Sequence, residues 1–292
     1  MTLQSKQTMA VLMTCHNRSE MTLRCLERLF ISCIPTGLQL DVYLVDDGST
    51  DGTADQVAER FPHVHAIAGD GTLYWAGGMR KAWDVAASAK SYDFYLWLND
   101  DTLIYEDAIQ HILADYECLK LSSIESLLVG AFKDPDLGEL TYSARLNGVQ
   151  LAPSGTPQPC DNITGNFCLV SRAVFEGIGN LSPWYTHGIA DADYALRALK
   201  SGFSCHVVSY YSGECTIDGN RIWYDPKYSF GQRLRGLYDL KGGNIVEYCR
   251  FIRIHSGCFN AMGSFLKSFA RVCVPRLFSD TSTRQKSDPG RA

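Results

Sequence analysis

The chain has 292 residues, 46% of them hydrophobic, and a net charge of −5, which permits one large soluble domain or a domain with an appendage. No apolar run reaches the roughly eighteen residues of a membrane span, and residues 1–8 lack the apolar centre of a secretory signal, so the expected address is cytoplasmic. The charge is uneven. Residues 227–292 carry twelve Lys/Arg against four Asp/Glu, or +8, leaving −13 for residues 1–226. An acidic body disfavours nucleic acid as a general partner, and a basic end suits anionic lipid. The eleven cysteines form no Cys-x-x-Cys pair, which argues against a zinc knuckle and a disulfide framework.

In chain order, residues 9–14 are a short apolar run before Cys15-His16-Asn17-Arg18. Leu23, Leu26, Leu29 and Phe30 then sit at helical spacing over 21–31. A second strand, 40–45, ends in Asp46-Asp47-Gly48-Ser49-Thr50-Asp51-Gly52, with a helix expected at 53–60. A strand at 63–68, a helix opened by Gly77-Gly78 and running toward Lys90, a strand at 92–98 and a helix at 108–120 follow. Strands alternating with helices predict an α/β fold with a mostly parallel sheet, whose ligands gather at the carboxyl ends of the strands. The second half is less regular: a strand at 127–132, loop-like sequence over 133–162, a strand at 167–170, a helix from about Asp191 and a strand at 203–208. Beyond Tyr228 the chain reads as helical. Met262, Phe265, Leu266, Phe269 and Val272 form an apolar stripe that Pro275 ends. That stripe suits either a membrane face or packing against the rest of the chain or a second subunit. The polar end, 279–292, is expected to be disordered.

Three clusters carry candidate chemistry. The run from Asp46 to Gly52 fails as a calcium loop, because counting from Asp47 places Ser49 third and Ala58 twelfth, where a bidentate Glu is required. A strand-end Asp can instead accept a hydrogen bond from a nucleobase, or cap a helix. Asn99-Asp100-Asp101 follows an apolar strand directly, and two carboxylates there could hold a divalent cation against a diphosphate, with hard oxygens suiting Mg2+ or Mn2+ over zinc. The segment from Gly69 to Arg80 offers Gly77 and Gly78 at a helix start suited to an anion, and Tyr74 and Trp75 for stacking. It is neither a P-loop nor a dinucleotide fingerprint, and a hairpin turn with two core aromatics is the plainer alternative.

The motifs Val11 to Arg18, Val45 to Thr53, Leu98 to Asp101, Gly165 to Arg172 and Asp191 to Arg197 together resemble family 2 glycosyltransferases of GT-A fold, over about residues 9–210, with rhamnosyltransferase-like members nearest. The resemblance implies a catalytic domain over 1–225, its nucleotide half about 9–132 and its acceptor half about 133–225, followed by a helical appendage at 226–278. Thr14, Asn17, Arg18, Asp46 and Asn99 would lie beside the nucleotide, with Asp47 at the base and Asp100 toward the ribose or sugar. Asp101 would hold the metal, and the region of Gly77 and Gly78 would cover the donor, with Trp75 and Arg80 placed there. Asp191 falls where the family has its acceptor-activating carboxylate, usually the second of an acidic pair, but the preceding residue here is Ala190. Trp184, His187 and Asp193 would line the acceptor site, unless Asp193 pairs with Arg197 four residues on.

The family's His after the strand at 203–208 is missing, with only His206 inside that strand, so no third metal contact is assigned. The implied reaction is inverting transfer from a nucleotide-sugar donor to a saccharide or glycolipid, in surface polysaccharide synthesis. It would run in the cytoplasm or on the inner face of the membrane, with 259–278 meeting anionic lipid or the C-terminal helices forming a homodimer. Two alternatives remain: a degenerate scaffold subunit, favoured by Ala190 and the missing His, and a sugar nucleotidylyltransferase, disfavoured because no Gly-rich basic signature opens the chain.

Overall fold

The computed structural model describes residues 7–217 and 222–278. The first half contains β1 (Gln7–Cys15), α1 (Ser19–Ile31), β2 (Leu38–Asp46), α2 (Thr53–Arg60), β3 (His65–Ala68), α3 (Tyr74–Ala89), β4 (Phe94–Leu98), β5 (Leu103–Ile104) and α4 (Ala108–Leu121). Then come β6 (Ser126–Val129), β7 (Phe132–Lys133), β8 (Arg145–Leu146), β9 (Val149–Gln150), β10 (Gln158–Pro159), β11 (Phe167–Ser171), α5 (Arg172–Ile178), α6 (Ala190–Lys200), β12 (Ser204–Val207) and β13 (Gly213–Glu214). The chain continues with α7 (Phe230–Tyr238), α8 (Ile245–Ser256) and α9 (Cys258–Cys273).

An eight-stranded sheet runs in the order β10-β12-β6-β11-β4-β1-β2-β3. Its half from β4 to β3 is parallel, and β11 enters antiparallel between β4 and β6. The carboxyl ends of β1, β2 and β4 therefore share one edge with the amino end of β11. The mostly parallel sheet flanked by helices is as expected.

Both faces of this sheet are covered, so its central strands read as unbroken apolar runs. In β4 the two-residue alternation still sorts the side chains. Phe94, Leu96 and Leu98 join Met9, Val11 and Met13 in the core that includes residues of α1 and α4. Tyr95 and Trp97 point the other way, into an aromatic cluster with Trp83 of α3, Phe175 of α5 and Tyr194 of α6.

Several boundaries differ from expectation. Helix α3 opens at Tyr74, three residues before Gly77, so Tyr74 and Trp75 belong to a helix and not to a hairpin turn. The strand expected at 127–132 is two strands, β6 and β7. The latter belongs to a separate small sheet, β5-β13-β7. The stretch 133–162 contains the hairpin β8–β9 and the edge strand β10. Helix α5 was not anticipated; its seven residues are too few for a readable stripe, and Ser171 caps it by accepting from the Val174 N–H.

The chain divides into two compact units, one ending at Ile217 and the other lying beyond it with His187–Ile189 added. In the second, Leu237, Ile245 and Val272 form a small core packed with Trp223, Leu234 and Phe265. Ser229 and Gln232 close a capping box on α7. Among the described residues no helix is long and apolar enough to cross a membrane. The expected disordered tail, 279–292, lies outside the described residues.

Trp83 has no exposed surface and touches four aromatic rings. Trp83→Ala should destabilise the first unit by about 3–5 kcal/mol, read from urea or thermal unfolding.

Candidate active site

Neighbouring strands bring neighbouring loops together. Cys15 is in register with Asp46, so residues 16–18 meet the loop that follows β2. His16 Nδ1 donates to the Asp47 carbonyl at 2.6 Å. Asn17, at φ +51°, donates its N–H to Ser49 Oγ and accepts from the Thr50 N–H through Oδ1. Asp46 Oδ1 accepts from the Ser49 N–H. Asp51 ties the N–H of Ser19 to that of Thr53, and the Thr53 hydroxyl leads in holding its carboxyl below the usual range.

Asp47 is buried, and its two oxygens accept from the N–H groups of Gly71 and Tyr74, each at 2.9 Å. It caps a helix, as the plainer reading allowed, but the helix is α3 and not the adjacent α2. The Ala76 N–H donates to the Thr186 carbonyl and the Gly77 N–H to the Leu73 carbonyl. The glycine pair expected to open a helix toward an anion therefore lies inside the helix. Gly78 has a different use: a Cβ built there would sit 2.1 Å from Thr14 Oγ1 and 2.7 Å from Thr14 Cβ. Its missing side chain lets α3 approach the end of β1.

β1 is also paired with β4, Leu12 facing Trp97, which sets Arg18 beside Asn99–Asp101. Arg18 Nη1 lies 2.7 Å from Asp101 Oδ2 and 3.4 Å from Asp100 Oδ1. Burial, reinforced by the Asp101 charge, pushes the Asp100 carboxyl up to about 7 despite Arg18 and the Thr22 hydroxyl. Asp101 Oδ1 is buried with no hydrogen-bond partner among the described residues.

An orphaned carboxylate oxygen beside a second carboxylate fits a hard divalent cation that completes its shell with water and diphosphate oxygens. Among the described residues no group of three or more His, Cys, Asp or Glu is placed to hold a metal alone. His206 joins no such group; its Nδ1 is 2.8 Å from Ser126 Oγ in the sheet.

The antiparallel register of β11 carries Gly165-Asn166 to the same edge: Phe167 faces Leu98, and the Asn99 N–H donates to the Asn166 carbonyl. The Gly165 N–H donates to Asp191 Oδ2 at 3.1 Å. A Cβ at Gly165 would lie 2.3 Å from Trp75 Cζ2, and Trp75 Nε1 donates to Asn99 Oδ1 at 2.7 Å. Trp75 thus links the acidic strand end to the Asp191 segment. The chain enters α6 through Ile189 at φ +72°, an unfavourable region for a β-branched residue. Burial raises the Asp191 carboxyl above the ordinary range against the N–H groups of Ala192 and Gly165.

Other expected residues are placed differently. Arg80 Nη1 donates to the carbonyls of Ser182 and Tyr185, fixing the segment that carries the exposed Trp184. His187 is grouped with the second unit. Asp193 is buried and its Oδ2 lies 2.9 Å from Arg197 Nε, the pair expected four residues apart on one helix. Sequence reasoning missed Trp75–Asn99 and Gly165–Asp191, since both depend on strand register. It also missed the floor beneath the acidic pair, where Cys25 donates to the Asn99 and Thr102 carbonyls and Asn166 Nδ2 reaches Thr102 and Cys215.

The family model for glycosyl transferase family 2 matches residues 10–178. A comparison with curated protein sequences finds no match. Among solved structures, a mannosyltransferase from Pyrobaculum calidifontis, PcManGT, in complex with GDP-Man and Mn2+, is similar at a TM-score of 0.55 and 13% identity, covering 99% of this chain and 77% of that one. TarS from S. aureus is similar at 0.55 and 13%, covering 94% of this chain and 53% of its own. These identities carry the fold, which is of GT-A type.

Gly78→Ala should lower stability by about 1–3 kcal/mol through overpacking against Thr14, read as a lower unfolding midpoint.

Proposed function

The chain belongs to glycosyl transferase family 2, and from that membership we propose inverting transfer of a hexose or deoxyhexose, in the manner of rhamnosyltransferase-like members. The donor is a nucleotide sugar, and the acceptor a saccharide or glycolipid of surface polysaccharide synthesis. One observation carries this reading. The carboxyl that burial makes more basic, Asp191, is joined through Gly165 and Trp75 to the strand end bearing Asp100 and Asp101.

In this reading Asp191 accepts the acceptor hydroxyl proton as the acceptor oxygen forms its bond to the anomeric carbon. The bond from that carbon to the diphosphate oxygen breaks on the opposite face, its electron pair leaving with the nucleoside diphosphate, and the configuration inverts. A carboxylate of ordinary acidity is a weak base at neutral pH, so the raised proton affinity of Asp191 supports the role.

Asp101, with Asp100, would hold Mn2+ or Mg2+, the orphaned Asp101 oxygen being the available ligand. Bound there, the ion would neutralise charge on the diphosphate. The Mn2+ in the similar mannosyltransferase is consistent with this. Thr14, Asn17, Arg18, Asp46 and Asp47 border the nucleotide in the proposal. Asp47 meets the base with the lone pairs that its backbone contacts leave free.

Nucleoside diphosphate release, followed across nucleotide sugars with Mn2+ or Mg2+, tests the reading. Asp191→Asn should lower kcat by about 10²–10⁴-fold while nucleotide binding persists, and full activity in that variant would remove Asp191 as base. Asp101→Ala should lose the metal dependence. The base works deprotonated and its proton affinity is raised, so kcat should fall with decreasing pH from a point above the ordinary carboxylate range. Gly165→Ala, which displaces Trp75 and disturbs the N–H donated to Asp191, should shift that acid limb as well as lower kcat.

A further inference from the structure

We propose that the outward face of α9 is a docking surface for an anionic lipid bilayer. The apolar stripe anticipated over 262–272 is divided by the structure. Val272 is fully buried, and Phe265 packs on the small core of the second unit. Phe259, Met262 and Leu266 are instead 96%, 60% and 58% exposed. At 100° per residue these three fall within one arc of the helix, with the exposed Phe269 beside them. Lys267 and Arg271 lie on the flank between that arc and the inward face. Val274 and Leu277 extend the exposed apolar set past the helix end.

The charge pattern selects the occupant. From Tyr248 to Phe278 there are five Lys/Arg and no Asp/Glu. A symmetric pairing of two copies through α9 would bring Lys267 and Arg271 toward their equivalents with no carboxylate on α9 to offset them, and the one carboxylate of α8, Glu247, is buried. A bilayer containing anionic lipid answers both features at once: the acyl boundary takes the aromatic and aliphatic side chains, and the headgroups meet the cationic flank. The acidic body of the chain, −13 over residues 1–226, would be repelled by the same surface, so attraction is confined to the basic end.

The test is flotation of the full chain with vesicles rich in phosphatidylglycerol and with vesicles of phosphatidylcholine alone, at low and high salt. Binding should favour the anionic vesicles and weaken about tenfold or more as salt screens the cationic flank. Met262→Asp with Leu266→Asp should weaken it by about tenfold or more, with circular dichroism and the unfolding midpoint unchanged because both side chains are exposed. Lys267→Glu with Arg271→Glu should remove the preference for phosphatidylglycerol. Vesicle binding that the Asp substitutions leave intact would overturn the proposal. So would a chain that ignores both vesicles yet forms a concentration-dependent dimer in light scattering that Leu266→Asp disperses, which would make a second copy the occupant.

Discussion

Strand β4 is buried on both faces and hydrogen-bonded on both edges, parallel to β1 and antiparallel to β11, and the candidate site follows from that placement. A strand so enclosed can present polar groups only beyond its end, where Asn99, Asp100 and Asp101 emerge. The parallel partner delivers Arg18 to them, and the antiparallel partner delivers Gly165 and Asn166. A sheet in which β11 ran parallel to β4 would carry Gly165 to the opposite edge, away from both the acidic pair and Trp75.

The electrostatics follow from the same enclosure. Burial at the strand end strips solvation from Asp100, and repulsion from the adjacent Asp101 adds to it, which together push its carboxyl up to about 7. Arg18 relieves part of that cost through Asp101 Oδ2 but leaves Asp101 Oδ1 without a donor among the described residues. A buried polar atom without a partner is costly. A cation with several coordination positions can satisfy this pair more fully than one guanidinium does.

The legibility of the sequence follows the range of the interactions. Strands β1, β2 and β4 were readable because burial on both faces leaves dense apolar runs, and the polar clusters at their ends were readable as interruptions. The start of α3 was not, because its first N–H is satisfied by Asp47, 27 residues earlier, and Tyr74 enters at φ +52°. The Gly77-Gly78 pair invited a helix start although Gly78 serves packing against Thr14. Strands β5, β7 and β13 have two residues each, too few for alternation to register. The Trp75–Asn99 and Gly165–Asp191 contacts join loops whose proximity exists only once β4 and β11 are paired in their observed register. Asp193 marks the opposite case: its partner Arg197 is four residues along the same helix, a spacing already visible in the sequence.

Ala190, the departure from the family's acidic pair, has a physical account in the same terms. Its side chain is fully buried in the first turn of α6, where a carboxylate would need a buried partner, and the nearby cation Arg197 is paired with Asp193. In families of this kind a second carboxylate would raise the proton affinity of its neighbour by like-charge repulsion. Here burial alone raises Asp191, and two backbone N–H groups hold its oxygens in place. Under the proposed function a buried Ala at 190 removes a charge while burial still raises Asp191, so the substitution is compatible with Asp191 acting as the base.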